Sequence, residues 1–263
     1  MLERVATLYI LLFARKRFHK FNRLLLRLSL GGLGILNYKT SAVSGEHAFL
    51  KSYLRNKNGI ILDVGANRGA YALEALQINP AMTIYAFEPH PKTFLTLSKN
   101  LAEHQNAYAV NQGLSSARGI VKLYDYADKD GSSHASLFKD VITDIHGGAS
   151  AVEHDIELTT IDEFVGKTKI SEITLLKIDT EGNELEVLKG GFSTLSQGRI
   201  KAIHFEFNEM NVESRSFFRD FWKLLDRYRF YRMLPNELLE IKRYSPLTCE
   251  LFAFQNIVAI LQD

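Results

Sequence analysis

The sequence predicts an α/β fold: a doubly wound sheet, mostly parallel, preceded by a helical extension. Three observations predict it. Short apolar runs bounded by turn residues recur at 60–64, 83–88, 107–114 and 173–179. Helical apolar spacing fills most of the intervals between them. The first two runs finish in acids, Asp63 and Glu88, where the carboxyl ends of adjacent strands would form a crevice for a nucleoside.

The elements follow in order. Residues 5–13 are apolar apart from Thr7, and Arg15, Lys16, Arg17, His19, Lys20, Arg23 and Arg27 come next, opposed by Glu3. The apolar stretch falls short of the roughly 20 residues that span a membrane. Its charges follow it, the reverse of a signal peptide. Two readings stand: a helix packed on the core or on a second subunit, and a basic amphipathic segment resting peripherally on anionic lipid. Gly31-Gly32-Leu33-Gly34 ends this region, and residues 44–54 read as a helix with Ser44 as cap. Residues 1–55 thus form the extension and 56–263 the α/β domain, with no linker dividing the latter.

Strand 60–64 leads to helix 71–78, stopped by Asn79-Pro80; strand 83–88 leads to helix 91–104, with Phe94, Leu97 and Leu101 on one face. After strand 107–114 the alternation breaks. Strands at 119–126 and 155–158 flank Asp130-Gly131-Ser132-Ser133-His134 and a polar stretch with Gly147-Gly148, a hairpin-like insertion with a mobile loop of the kind that covers active sites. Thr160 and Glu163 have capping-box spacing. Strand 173–179, helix 181–188 stopped by Gly190-Gly191, strand 202–207 and helix 217–228 follow, the last with Phe218, Phe221, Trp222 and Leu225 toward the core. Residues 230–234 and 255–261 read as a closing antiparallel pair, with a turn at Pro235-Asn236.

With 263 residues, 46% hydrophobic, the chain can bury a large core. A net charge of +2 gives no field that would select nucleic acid. The single cysteine, Cys249, rules out an intramolecular disulfide and fits a reducing, cytoplasmic compartment.

The first turn, Asp63-Val64-Gly65-Ala66-Asn67-Arg68-Gly69, has G-x-x-x-G spacing and lacks the dinucleotide fingerprint. Gly65 admits a ligand close to the backbone, and Gly69 lets the helix pack on the sheet. Asp63 would repel phosphate and suits a cationic or zwitterionic group. Glu88 lies at the interval where an acid reaches a ribose diol, which a carboxylate can hold as a fork. Asp179 reaches the switch-point crevice as a base, an orienter or a metal ligand. Glu181 and Glu184 read as acids favoured by a helix dipole. Alternation puts His204, Glu206 and Asn208 on one side of a strand. His204 is more simply a structural histidine, and His134 an exposed loop histidine with a weaker claim on the acceptor. Asp179, Glu206 and His204 show no compact ligand motif, so no resident metal is expected.

Asp63-Val64-Gly65-Ala66-Asn67-Arg68-Gly69, Phe87-Glu88-Pro89, Leu176-Lys177-Ile178-Asp179-Thr180-Glu181-Gly182 and Val187-Leu188-Lys189-Gly190, in this order, resemble the FkbM family of S-adenosyl-L-methionine-dependent methyltransferases. The resemblance covers about residues 40 to 261. It implies a class I methyltransferase fold, a seven-stranded sheet with one antiparallel strand, and O-methylation of hydroxyls on sugars or polyketide-like products. By the same resemblance, Gly65, Ala66, Asn67 and Gly69 would line the methionine part of the cofactor, and Asp63 would support that loop or its amino group. Glu88 would hold the ribose, and Pro89, with Asn111 to Leu114 (Gly113 and Leu114 foremost), would flank the adenine. Ser136 would add a contact, and Asp179 would face the transfer centre.

The expected reaction is O-methylation of a saccharide hydroxyl, with Asp179 as base, assisted by His204 or Glu206. The acceptor is a small molecule or a glycan, free or lipid-linked at the inner face of a membrane; oligomeric state is open. Two other classes remain: a nicotinamide-dependent oxidoreductase, disfavoured by the glycine spacing and Asp63, and a non-catalytic cofactor-binding module, disfavoured by the intact acids.

Overall fold

The computed structural model describes residues 2–128, 130–132, 134–145 and 150–262. Ser133, Gly147 and Gly148, expected in the loop of the insertion, lie outside the described residues.

Two helices open the chain, α1 (Leu2–Phe13) and α2 (His19–Gly32), the second ending at the glycine cluster. Two short helices follow, α3 (Ser41–Ser44) and α4 (Glu46–Tyr53). Ser44 is therefore not the cap: Thr40 caps α3 by accepting from the Val43 N–H, and Gly45, at φ 91°, turns the chain into α4. β1 (Gly59–Val64), α5 (Ala70–Ile78), β2 (Met82–Phe87), α6 (Pro91–Leu101) and β3 (Ala107–Val110) form the first βαβ units. β3 is shorter than expected because the Asn111 amide donates to the Glu88 and Pro89 carbonyls. The chain then turns away and starts β4 (Gly113–Leu114) in a different sheet.

β4, β5 (Gly119–Tyr126) and β6 (Ala151–Thr159) make a three-stranded sheet in the order β4-β6-β5. β5 and β6 pair antiparallel from Gly119 opposite Leu158 to Tyr126 opposite Ala151, the expected hairpin-like insertion with a longer second strand. The main chain continues through α7 (Ile161–Thr168), β7 (Leu175–Ile178), α8 (Glu184–Lys189), α9 (Phe192–Ser196), β8 (Ala202–Phe207), α10 (Met210–Glu213), α11 (Phe218–Leu224), β9 (Tyr228–Met233), β10 (Leu238–Ile241), α12 (Pro246–Cys249) and β11 (Gln255–Leu261).

Three boundaries differ from expectation for local reasons. α8 starts three residues late because Glu181 (φ 51°) and Gly182 (φ 107°) are left-handed and cannot be helical. α11 stops at Leu224, and Tyr228 instead opens β9, its hydroxyl donating to the Ile200 carbonyl. The turn after β9 leads to an additional strand, β10, before the chain returns as β11.

The main sheet has eight strands in the order β10-β9-β11-β8-β7-β1-β2-β3. The run from β8 to β3 is parallel, and β11 lies antiparallel between β8 and β9. This is the doubly wound arrangement that the resemblance implies, with β10 added at the edge. β1 and β7 are buried along most of their length, as strands covered on both faces must be. One core cluster lies under α7, α8 and α11 and includes Phe205, Phe207, Phe218 and Phe221. The opposite cluster lies under α4, α5 and α6, where Phe49, Leu50 and Leu54 pack with Ile61, Ala72 and Leu97.

Candidate functional site

A cavity of about 510 Å³ opens at the carboxyl ends of β1, β2, β7 and β8, a size typical of small-molecule sites. Gly65, Asn67, Glu88 and Pro89 line one side, and Asp179, Glu181, Glu206 and Asn208 another. Gly113, Leu114, Leu123 and Leu158 of the small sheet, with His134, Ala135 and Leu137 of the insertion, complete the wall. Leu36, Tyr38 and Phe254 also face it.

The β1–α5 turn is built by backbone contacts. The Gly65 and Ala66 N–H groups donate to the Phe87 carbonyl at 3.0 and 2.9 Å. Gly65 has φ 78°, and a Cβ there would sit 1.7 Å from the Asp179 carbonyl oxygen. Its glycine is thus demanded by the neighbouring strand end as well as by any ligand. Gly69 (φ 85°) makes room for Leu97 of α6 rather than for the sheet. The Glu88 carboxylate receives the Asn67 N–H on Oε2 (2.9 Å) and the His90 N–H on Oε1 (2.8 Å), which leaves further lone pairs on both oxygens. Burial pushes the Glu88 pKa up to about 7 against those two hydrogen bonds, with Asp63 and Asp179 adding to the rise.

The opposite wall is a cluster of acids around one buried cation. Lys177 lies on β7, only 3% exposed, with Nζ 3.0 Å from Asp179 Oδ2. Burial opposes its charge, yet Asp179, Glu206, Glu46 and Asp63 hold its pKa above the ordinary value. One ammonium cannot balance all these acids. Burial and then Asp179 push the Glu206 pKa well above its ordinary value, with Lys177 opposing. Burial also raises Glu181 to about 7, opposed by His134, whose Nδ1 is 3.3 Å from Glu181 Oε1. Glu184 secures the intervening turn by accepting from the Thr180 and Gly182 N–H groups at 3.0 and 3.1 Å.

The insertion is tied down beside Glu88. His90 Nε2 and His154 Nε2 lie 2.9 and 2.7 Å from Asp130 Oδ1, and Lys92 bonds its other oxygen. Burial works against the Asp130 charge, but these hydrogen bonds hold its pKa down to about 2. Asp125, fully buried, accepts from the Gly131 and Ser132 N–H groups at 2.7 and 2.9 Å. The lengths are those of hydrogen bonds.

Of the residues singled out in the sequence, Gly65, Asn67, Glu88, Pro89, Gly113, Leu114, His134, Asp179, Glu206 and Asn208 meet at the cavity. Others stand behind it. Asp63 is buried beneath the turn, where burial and the acids near it outweigh Lys177 and raise its pKa to about 7. Ala66 is in the core, and Gly69 packs on α6. Ser136 does not line the cavity: its Oγ donates to the Glu181 carbonyl and accepts from the Phe138 N–H. His204, expected to assist the base, is also outside. It is fully buried, with Nδ1 3.2 Å from the Tyr71 hydroxyl and Nε2 3.0 Å from Asn256 Oδ1, and burial, with Lys177, lowers its pKa to about 3. Glu181, expected in the first turn of a helix, lies before α8, in the wall. Lys177 and Glu46 were not singled out. A lysine in an otherwise apolar strand was the available signal for the first; nothing local marked the second.

The wall is also short of donors. Asn67 Oδ1 and Glu181 Oε2 are buried without a hydrogen-bond partner among the described residues. Both are acceptors on cavity-lining residues, and Glu88 has acceptor capacity to spare. A ligand bringing an ammonium and a ribose diol supplies what they lack, so the donor set of S-adenosyl-L-methionine fits.

Residues 63–233 match the model of the methyltransferase FkbM domain. Methyltransferase sdnD of Sordaria araneosa is 33% identical over 156 residues, covering 51% of this chain and 60% of that protein. The 31-O-demethyl-FK506 methyltransferase FkbM of Streptomyces tacrolimicus is 29% identical over 182 residues, 56% of this chain and 69% of that one. The hexuronic acid methyltransferase AglP of Haloferax volcanii is 27% identical over 149 residues, 56% of each. The family match spans the β1 turn, Glu88, the insertion and the Asp179 strand end together. The chain therefore belongs to the FkbM methyltransferase family, and its cofactor is S-adenosyl-L-methionine.

Proposed function

We propose that the chain transfers the methyl group of S-adenosyl-L-methionine to a hydroxyl of a saccharide. The observation that carries this reading is the wall of acceptors, Asp179, Glu181, Glu206 and Asn208, facing Glu88 across one cavity. Such a wall suits an acceptor that presents several hydroxyl donors. The name of the Haloferax relative, a hexuronic acid methyltransferase, supports the same substrate class.

The cofactor supplies a methyl group already activated on a sulfonium. Glu88 would hold the ribose diol as a fork, and Pro89, Gly113 and Leu114 would flank the adenine. Gly65 and Asn67 would meet the amino-acid end, with Asn67 Oδ1 accepting from its ammonium. Asp179 would take the hydroxyl proton as the new C–O bond forms, through the oxygen that Lys177 does not hold. Lys177, with Nζ 3.0 Å from Asp179 Oδ2, keeps that carboxylate oriented. Glu206 and Glu181 would bind neighbouring hydroxyls, and His204 has no part in transfer.

The test is turnover with the cofactor and a panel of saccharides that includes hexuronates, read as a methyl gain by mass spectrometry. Asp179→Asn should lower kcat by about 100-fold while S-adenosylhomocysteine affinity holds. Methylation of non-sugar alcohols alone would replace the acceptor class. Undiminished turnover in the variant would remove Asp179 as the base.

A further inference from the structure

The first two helices form a hairpin with its own small aromatic centre. Tyr9 stacks on Phe13 (centroids 5.0 Å apart), Phe18 and Phe21 approach Phe13 at 5.1 and 5.9 Å, and the Asn22 amide donates to the Phe13 carbonyl. That centre leaves the aliphatic side chains outside. No residue of α2 is buried, and Leu11, Leu24 and Leu28 are 65, 54 and 62% exposed. On α2 the positions 21, 24, 25 and 28 share one helical face, and 20, 23 and 27 run beside it as a basic row. Arg15, Lys16 and Arg17 fill the turn between the helices, and Glu3 is the hairpin's acid. So large an apolar surface marks an interaction site. No helix among the described residues is long and apolar enough to cross a membrane.

We propose that this hairpin docks on an anionic lipid bilayer, lying in its interface with the leucine face down and the basic row against the headgroups. Charge decides between occupants. A second copy would bring the same excess of lysine and arginine against itself, whereas an anionic surface attracts it, by about fivefold in partition for each basic residue. The seat also adjoins the cavity: Leu36 and Tyr38, immediately after the hairpin, line it, and the Leu36 N–H donates to the Phe254 carbonyl at 2.7 Å.

The test is sedimentation of the full chain with vesicles of phosphatidylcholine mixed with phosphatidylglycerol, and with phosphatidylcholine alone. The chain should pellet with the mixed vesicles, with partition falling as salt rises. Two triple variants, Leu11→Ser with Leu24→Ser and Leu28→Ser, and Arg15→Gln with Arg23→Gln and Arg27→Gln, should each lose at least about tenfold in partition. Both should keep the parent's S-adenosylhomocysteine affinity, which shows that they fold and leaves the methyltransferase reading to its own test. A parent that stays in the supernatant overturns the proposal, as does equal pelleting of the variants. A dimer in light scattering that the leucine variant dissociates would assign the face to self-association and overturn it too.

Discussion

At the scale of single residues, the cofactor's affinity should depend on pH through Glu88. Burial raises its pKa from 4.5 to about 7, so near neutrality its carboxyl is partly protonated before the cofactor binds. Ribose hydroxyls donate, and they need the anion. Binding below the pKa therefore releases a proton, and affinity rises with pH by up to about tenfold per unit until the carboxylate is ionised. Calorimetry with S-adenosylhomocysteine at about pH 6 and 8 should show tighter binding at the higher value. Glu88→Gln should weaken binding and flatten that slope; an unchanged slope would move the titration to another group. The same shift acts on the fold with the opposite sign. A carboxyl whose pKa is raised by folding stabilises below its unfolded value, and this contribution is lost as pH rises through about 7, for Glu88 and Asp63 alike. Gly65 makes a sharper demand. An alanine there would strain a φ of 78°, costing about 1–3 kcal/mol, and its Cβ would fall 1.7 Å from the Asp179 carbonyl oxygen. Gly65→Ala should lower the denaturant midpoint and lose cofactor binding together; loss of neither would mean that the turn can move off Asp179. Asp63, Glu88 and Asp179 were legible in the sequence because each closes an apolar run. Lys177, Glu46 and Glu181 were not, because only the folded sheet brings their charges to one place.

Among the elements, the insertion is the one most exposed to perturbation. Its small sheet buries a minor cluster around Leu123, Ile156 and Leu158, so polar ties must hold its loop against the cavity. Asp130 joins His90 of the β2–α6 turn to His154 of β6 and thus couples the cofactor strand to the loop that carries His134. Asp130→Ala should raise hydrogen exchange of the backbone around Ser132 and His134 and weaken S-adenosylhomocysteine binding, while the main-sheet strands keep their protection. Exchange unchanged in the loop would show that Asp125 alone suffices. The strands and helices were legible wherever periodicity ran unopposed, as in β1, α5 and β8. They were misjudged where one residue overrode it. The Asn111 amide ends β3 by bonding back to Glu88 and Pro89, and the left-handed Glu181 delays α8. The Val187–Gly190 motif gains a reason only from packing: a Cβ on Gly190 would stand 2.0 Å from the Ser115 carbonyl oxygen. The start of the inserted sheet and the end of α8 therefore share one glycine.

For the whole molecule, the division between extension and domain is a matter of which side chains the core needs. Among the described residues, α1 and α2 contribute none to either large core cluster. Residues just beyond them do: Ile35 is fully buried and bridges to Gln255 of β11, and Phe49, Leu50 and Leu54 pack under the sheet with Ile61 and Ala72. A separable unit that ended near residue 55 would carry these side chains away, at about 2–5 kcal/mol for each large apolar group lost. Few domains survive several such losses, given a total stability of about 5–15 kcal/mol. The functional boundary should therefore fall at the glycine cluster after α2. A chain beginning at Leu33 should unfold cooperatively, within a few degrees of the parent, and bind S-adenosylhomocysteine as tightly. A chain beginning at Gly59 should fail to fold or unfold without a cooperative transition. If instead the shorter chain keeps the parent's melting temperature, α4 is an accessory to the sheet rather than part of its core. Loss of folding in the chain that begins at Leu33 would mean that the hairpin supports the body through contacts beyond those its exposed leucines reveal.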